Sequence, residues 1–260
     1  MVVQILSAFI MQVIFTIGLI AVFGFIVSLL NRLFYANFGY SARAVCYATG
    51  FIGTPVHELS HALFCLIFGH KIEEIKLFQI SDDGTLGYVN HTYNPRNVYH
   101  VIGNFFIGVA PIVCISAILY LLSGYLLPDF AIEVENFALG LDIDNLGEAL
   151  SDIFGIVGTF FSFVASWQFW VFLLVGIFLA PHMTLSGADI KGALGGTGIL
   201  LLVLLVADAI LWFVSYDMLT DFTGIMTAVG GYLLCFFIMA LLILAIMILV
   251  SFVIRKIFRL

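Results

Sequence analysis

The chain has 260 residues, of which 63% are hydrophobic and only 10% are charged, and its mean hydropathy is +1.19. A soluble domain of this length does not have such a composition, which is typical of a multi-pass membrane protein. The formal charge of −7 comes without any basic stripe, which excludes nucleic acid as a partner. All four cysteines lie in apolar runs and are predicted to be buried thiols.

Six apolar stretches exceed the roughly 20 residues that a bilayer requires. They cover about 5–30, 44–69, 99–127, 153–180, 198–216 and 225–254. With both termini in the cytoplasm, seven of the nine Lys and Arg residues lie inside, as the positive-inside rule favours. We therefore expect one integral membrane domain over 1–260, all-α and polytopic with about six transmembrane helices. We expect it in a prokaryotic plasma membrane with both termini cytoplasmic.

The second stretch contains the motif His57-Glu58-Leu-Ser-His61. In a helix, residues four apart lie on one face, so His57 and His61 can present two imidazoles to one metal ion. Glu58 is rotated about a quarter turn away and can reach a water on that metal. This is the zincin pattern of two ligands and one base. The alternative is a set of polar side chains bonded to neighbouring helices, but such residues at membrane depth are costly and usually functional.

Two signals delimit the helix that carries the motif. Pro55 predicts a kink or a restart, with Thr54 as the cap and Pro55 as the first residue of a catalytic half-helix. Gly69 is typical of a residue that ends a helix. The metal is then expected within the inner half of the bilayer.

A β-hairpin is predicted after this helix, on the cytoplasmic side. Residues 75–80 and 85–93 are rich in strand-forming side chains, and Ser81-Asp-Asp-Gly84 between them is typical of a turn. The open edge of such a hairpin can hold an extended peptide by main-chain hydrogen bonds. A simple connector is the alternative.

The segment 127–152 is acidic, with seven Asp and Glu residues and no Lys or Arg. We expect it to form a solvated external loop with room for an interfacial helix.

A catalytic zinc site needs a third protein ligand. Asp189 lies at the inner end of the fourth stretch, on the side predicted for the metal, and is the first candidate. Its spacing from Ser186 is also typical of a capping box that opens a helix. The other candidates are His182, His70 and Asp208.

Three polar residues in or near the spans are possible substrate-binding or accessory groups. They are Asn104, His182 and Asp208. Asn104 can donate to a substrate or an oxyanion, and Asp208 can be a second functional acid. The alternative for Asn104 is a hydrogen bond to a neighbouring helix, and for Asp208 protonation or a polar partner. The alternative for His182 is a satisfied histidine at the membrane interface.

The chain resembles the site-2 protease family of intramembrane zinc metalloproteases. Beyond the histidine motif, the similar segments are Gly69-His-Lys-Ile72, Ile75-Lys-Leu-Phe78, Gly84-Thr-Leu-Gly-Tyr-Val89, Val109-Ala-Pro111 and Leu185 to Gly192. They match the family's glycine, its two strands, its Ala-Gly-Pro helix and its Leu-Asp-Gly segment, with Cys114 where an Asn is expected. The resemblance covers about Val45 to Gly192 and implies that Asp189 is the third zinc ligand.

The sequence therefore predicts a zinc metalloendopeptidase with a core at about 44–197, which hydrolyses peptide bonds in or near transmembrane segments. Zn²⁺ is the expected cofactor, His57, His61 and Asp189 the metal ligands, and Glu58 the catalytic base. The expected partners are a transmembrane protein or peptide and the lipid bilayer. The alternative function is a non-proteolytic membrane protein with a structural or transport-related metal site.

Overall fold

The computed structural model describes residues 1–81, 84–141 and 145–258. A π-helical segment, Ile14–Gly18, joins the first two helices. The helices and strands in chain order are α1 (Val2–Val13), α2 (Leu19–Ala36), α3 (Ala42–Ile67), β1 (Lys71–Lys76), β2 (Tyr88–Thr92), α4 (Val98–Leu126), α5 (Pro128–Gly140), α6 (Leu146–Ser162), α7 (Trp167–Leu179), α8 (Gly187–Val214) and α9 (Tyr216–Phe258).

Five helical stretches in the described part of the chain are long and apolar enough to cross a bilayer. They are Val2–Ala36, Val98–Leu126, Gly147–Ala165, Gly187–Val214 and Tyr216–Ile257. The all-α polytopic membrane fold that the composition predicts is confirmed. The predicted second span, now α3, is not among the five, because the histidine motif lowers the hydropathy of that helix.

The fourth apolar stretch, predicted as one span over 153–180, is two helices. Helix α6 ends at Ser162, and after a short 3₁₀ turn Ser166 adopts an extended backbone with ψ of 146°. Its Oγ then accepts a hydrogen bond from the backbone N–H of Phe169, at 3.3 Å, in the first turn of α7. A serine that caps the next helix thus interrupts a run whose hydropathy alone shows no break.

Helix α3 is continuous through Pro55, so the predicted restart at this residue is wrong. Thr54 does not act as the predicted cap, since its buried Oγ1 has no hydrogen-bond partner among the described residues. The predicted end of the helix is confirmed. Gly69 has φ of +69°, and the N–H groups of His70 and Gly69 donate to the carbonyls of Cys65 and Leu66, at 2.8 and 3.2 Å. This is a Schellman turn, and it directs the chain straight into β1.

The predicted β-hairpin is confirmed, but its first strand begins earlier than the sequence indicates. Strand β1 runs antiparallel to β2 from Lys71 to Lys76, with an irregular register between Ile72 and Glu74. The residues predicted as strand, 75–80, overlap it only at the end. At the turn Gly84 has φ of +82°, and its N–H donates to the carbonyl of Ser81 at 3.3 Å. The central turn residues 82–83 lie outside the described part.

The acidic segment 127–152 contains helix α5 and the start of α6. Pro128 occupies the first turn of α5, whose apolar face buries Phe130, Val134 and Phe137. Residues 142–144 lie outside the described part of the chain. The described part of the segment is therefore largely helical and partly buried, where the sequence predicts a solvated loop with room for an interfacial helix.

The chain divides into two compact units. The first comprises 1–22, 118–172 and 200–239. Its core contains a cluster of aromatic rings, in which Phe160 lies 5.5 Å from Phe130 and 5.8 Å from Phe172, measured between ring centroids. The prediction of one integral domain stays a prediction.

The second unit comprises 23–117, 173–199 and 240–260. It contains α3, the hairpin, the first part of α4 and the start of α8. Helices α4 and α8 pack very closely, because a Cβ on Gly108 would lie 2.6 Å from the backbone oxygen of Asp189 and 2.8 Å from the Cβ of Ala193. Close backbone approach without side chains is the usual role of glycine at helix crossings. It brings the first turn of α8 to the histidines of α3.

Candidate metal centre

The two histidines of α3 point at the same spot. Their ring centroids are 4.8 Å apart, and the Nε2 atoms of His57 and His61 are separated by 3.1 Å. The spacing of four residues places the rings one turn apart on one face of the helix, as the sequence predicts.

A backbone carbonyl holds each ring from behind. The Nδ1 of His57 donates to the carbonyl of His182 at 2.8 Å, and the Nδ1 of His61 donates to the carbonyl of Ile107 at 2.7 Å. Because a carbonyl can only accept, both Nδ1 atoms carry the proton and both Nε2 atoms of the neutral rings present lone pairs. Histidine ligands of metals are oriented in this way.

Asp189 supplies the third group. Its Oδ1 lies 3.2 Å from the Nε2 of His61, and its Oδ2 lies 3.9 Å from the Nε2 of His57. The backbone N–H of Ser186 donates to Oδ2 at 2.7 Å, while the N–H of Asp189 donates to the Oγ of Ser186 at 3.1 Å. The capping box and the approach to the histidines therefore coexist in one carboxylate. The two interpretations of Asp189, a capping-box residue and a zinc ligand, are therefore compatible with each other.

The residues present fit a zinc ion. One ligand atom each from His57, His61 and Asp189 lie within 4.8 Å of one another. All three are acceptors, and acceptors at such distances repel each other unless a cation or a proton lies between them. Two imidazoles and a carboxylate are among the ligand sets that zinc takes in hydrolytic sites. The role of these residues as ligands stays a prediction.

Glu58 lies beside this group and is not part of it. Its side chain is buried, and it lines the same cavity as the two histidines and Asp189. Gly87 in the hairpin packs against it, since a Cβ on Gly87 would be 2.7 Å from the Cγ of Glu58 and 2.8 Å from the carbonyl of Lys76. The hairpin thus fixes where the carboxylate can lie, which its position in the motif alone does not.

The cavity has a volume of about 720 Å³. Strand β2 forms one wall with residues 88–91, and the first turns of α8 form another. Burial lowers the pKa of His91 in this wall, with a smaller contribution from the nearby His70 and His61. A space of this size accommodates several residues of an extended peptide.

The three accessory candidates lie in different environments. Asn104 is buried, lines the cavity, and has an amide nitrogen without a partner among the described residues. The ring of His182 does not join the three ligand atoms, and its Nε2 lacks a described partner. It packs on Gly53, where a Cβ would be 2.6 Å from its Cγ. Its carbonyl, which the sequence does not single out, orients His57.

Asp208 belongs to the first unit and is not among the residues that line the cavity. It is fully buried, and its Oδ1 accepts a hydrogen bond from the amide of Gln12 at 3.0 Å. Gln12 also donates to the Oγ1 of Thr223 at 3.0 Å. The predicted alternative of a polar partner describes this acid. His70, the remaining candidate third ligand, lies at the far end of α3 and is not part of the group.

Fold and site together indicate a multi-pass membrane protein that carries the His-Glu-x-x-His pattern of zinc metallopeptidases. Residues 50–156 match a family model described as "Putative zincin peptidase". This match supports a zinc metallopeptidase and zinc as its metal, as the sequence predicts. The matched range contains the histidine motif, the hairpin and Asn104, and it ends before Asp189. No curated protein and no solved structure matches the chain.

Proposed function

We propose that the protein is an intramembrane zinc endopeptidase of the site-2 protease type, which cleaves membrane-spanning segments of other proteins. One observation carries the proposal. The Nε2 atoms of His57 and His61 converge with the carboxylate of Asp189, beside the carboxylate of Glu58, in one cavity. The described residues also include five helices long and apolar enough to cross a bilayer. A structural metal site needs neither a buried acid beside its ligands nor a cavity of this size.

His57, His61 and Asp189 would hold the zinc ion, which would supply a Lewis acid for the activation of water. Glu58 accepts the proton of the attacking water and returns it to the nitrogen of the leaving amine. Because Glu58 directly follows His57 on α3, it lies beside the ligands, and its carboxylate is not one of them. The carbonyls of His182 and Ile107 hold the imidazoles in the required tautomer.

The hairpin and Asn104 position the substrate. A helical peptide bond is shielded, so the scissile segment has to unwind, and its exposed backbone groups then need partners. Strand β2 lines the cavity, and its outer edge has no strand partner in the described part of the chain. An extended peptide can pair with this edge. The amide of Asn104 can donate to the carbonyl oxygen at which negative charge develops.

We further propose that both termini, the hairpin and the start of α8 face the cytoplasm, which the seven-to-two basic bias favours. Strand β2 and the start of α8 line one cavity, in keeping with a common side. Single cysteines introduced at Lys76 and Glu148, in a background without native cysteines, test this with an impermeant reagent on intact cells. Labelling at Glu148 alone is expected. Labelling at Lys76 from outside contradicts the orientation.

The deciding experiment for the function is Glu58→Gln in a reconstituted cleavage assay with a panel of membrane spans. The amide has the shape of the acid but cannot take the proton, so turnover should fall on the order of 10³-fold while bound zinc is retained. Asp208→Asn is the matched control, because it makes the same change at a buried acid outside the cavity. Its turnover should stay near that of the native chain. Cleavage by Glu58→Gln at the native rate would reject the proposed protease function.

A further inference from the structure

A second group of metal-binding side chains lies at the end of the catalytic helix. One ligand atom each from Cys65, His70 and His91 lie within 4.8 Å of one another. Cys65 belongs to the last turns of α3, His70 follows the Schellman turn at Gly69, and His91 is in β2. Cys65 has 0% and His70 4% of its surface exposed. Three different elements thus bring soft and borderline ligand atoms together in a buried place.

The imidazole of His70 is oriented like those of the catalytic pair. The Nε2 of His70 donates to the carbonyl of His100 at 2.8 Å, so its Nδ1 carries a lone pair. That Nδ1 lies 3.0 Å from the Nδ1 of His91. In the catalytic pair a carbonyl likewise occupies one nitrogen and the other faces the partner ring, at 3.1 Å. The distance in each pair is close to that between two ligands on one tetrahedral metal.

The alternative is a hydrogen bond from the Nδ1–H of His91 to the Nδ1 of His70. It accounts for the contact between the rings without a metal. It does not involve the sulfur of Cys65, which the chain brings into the same small volume. Thiolate and imidazole together are the ligands that zinc and other borderline or soft transition metals prefer.

We propose that Cys65, His70 and His91 form a second transition-metal site, separate from the catalytic one and selective for zinc or a similar metal. Metal bound here joins β2 to the end of α3. Because β2 also lines the catalytic cavity, the site stabilises the wall that we assign to the substrate. Its existence does not depend on whether the protein cleaves peptides.

Cobalt substitution of the purified full chain in detergent tests the site directly. A thiolate bound to Co²⁺ gives an intense near-ultraviolet charge-transfer band, and the predicted catalytic ligands include no sulfur. We expect about two cobalt ions per chain, together with this band. In His57→Ala the stoichiometry should fall to about one and the band should remain. In Cys65→Ser the band should disappear, whereas Cys235→Ser, which alters another buried cysteine, should keep it.

A folding defect in Cys65→Ser does not end the test. His91→Gln, at a half-buried position on β2, should also lower the stoichiometry to about one and remove or strongly weaken the band. A single cobalt ion per chain without a sulfur band in the native protein overturns the second site. So does a band that survives in both Cys65→Ser and His91→Gln. Loss of the cobalt that His57 binds concerns only the catalytic site, so failure of either proposal can be told from failure of the other.

Discussion

The two groups of proposed metal ligands share one helix and differ in which other elements complete them. His57, His61 and Cys65 follow one another along α3 at intervals of four residues, one turn apart. The catalytic group is completed by Asp189, which comes from α8, far along the chain. The second group is completed by His70 and His91, from the turn and hairpin that directly follow α3. The first therefore depends on helix packing, and the second on local folding of the hairpin.

Their surroundings also differ. The catalytic group opens onto a cavity of about 720 Å³ and has an acid beside it. The second group is closed in at Cys65 and His70, with the ring of Tyr93 stacked on His70 at a centroid distance of 5.0 Å. An open coordination position beside a base is suited to catalysis, and a closed one to structure. Accessibility, more than ligand type, therefore separates the two roles that we propose.

Of the three variants Gly87→Ala, Asp189→Asn and Gly69→Ala, the first should have the largest effect, and that effect should fall on the catalytic group alone. The new Cβ would meet the Cγ of Glu58 and the carbonyl of Lys76, and the carbonyl cannot move without shifting β1. A displacement of the base by about 1 Å is expected to lower turnover by about 100-fold, with zinc at the catalytic site retained. Cleavage assays and metal analysis measure both quantities.

The control for this variant is Gly198→Ala in α8, because no atom lies within 4 Å of the added Cβ. It should cleave like the native chain. The cobalt–sulfur band of the second group should be present in both variants. Native turnover in Gly87→Ala would show that the hairpin does not position Glu58.

Asp189→Asn should have the next largest effect, and it acts on the catalytic group alone. The amide still caps α8, but as a neutral ligand it holds zinc less well, so catalytic zinc affinity should fall by about tenfold or more. Competition with a chelator measures this. Asp189→Ala also removes the half of the capping box that the carboxylate makes with the N–H of Ser186, and should cost about 1 kcal/mol more in unfolding free energy. Unchanged zinc affinity in Asp189→Asn would leave Asp189 as a cap only.

Gly69→Ala should have the smallest effect, confined to the second group. At φ of +69° an alanine is strained by about 1 kcal/mol, and its Cβ would approach the Nε2 of His100 at 3.3 Å. The turn that places His70 is thereby disturbed, so the cobalt–sulfur band should weaken while cleavage changes little. Titration of the band with cobalt measures the effect. Equal losses in band and turnover would indicate that the two groups are not independent.

Much of the prediction from sequence rests on rules that involve only residues close together in the chain. The convergence of His57 and His61 follows from helix periodicity, and the end of α3 follows from the freedom of Gly69 to adopt positive φ. Hydropathy was sufficient for the membrane class. Each of these depends on residues that are close in the chain, which is why they can be read without the fold.

Other features depend on contacts between elements that are distant in the chain, and only the tertiary structure shows them. The folded structure keeps α3 helical through Pro55, where the sequence predicts a restart. It also shows that the two acids have different partners. Asp189 faces the histidines, whereas Asp208 accepts a hydrogen bond from Gln12 in the other unit. The sequence favours Asp189 by its position in the chain and by resemblance, and the contacts of the two carboxylates agree with that order. The carbonyls that orient the imidazoles and the meeting of Cys65 with His91 arise from contacts between separate elements, for which no periodicity in the sequence exists.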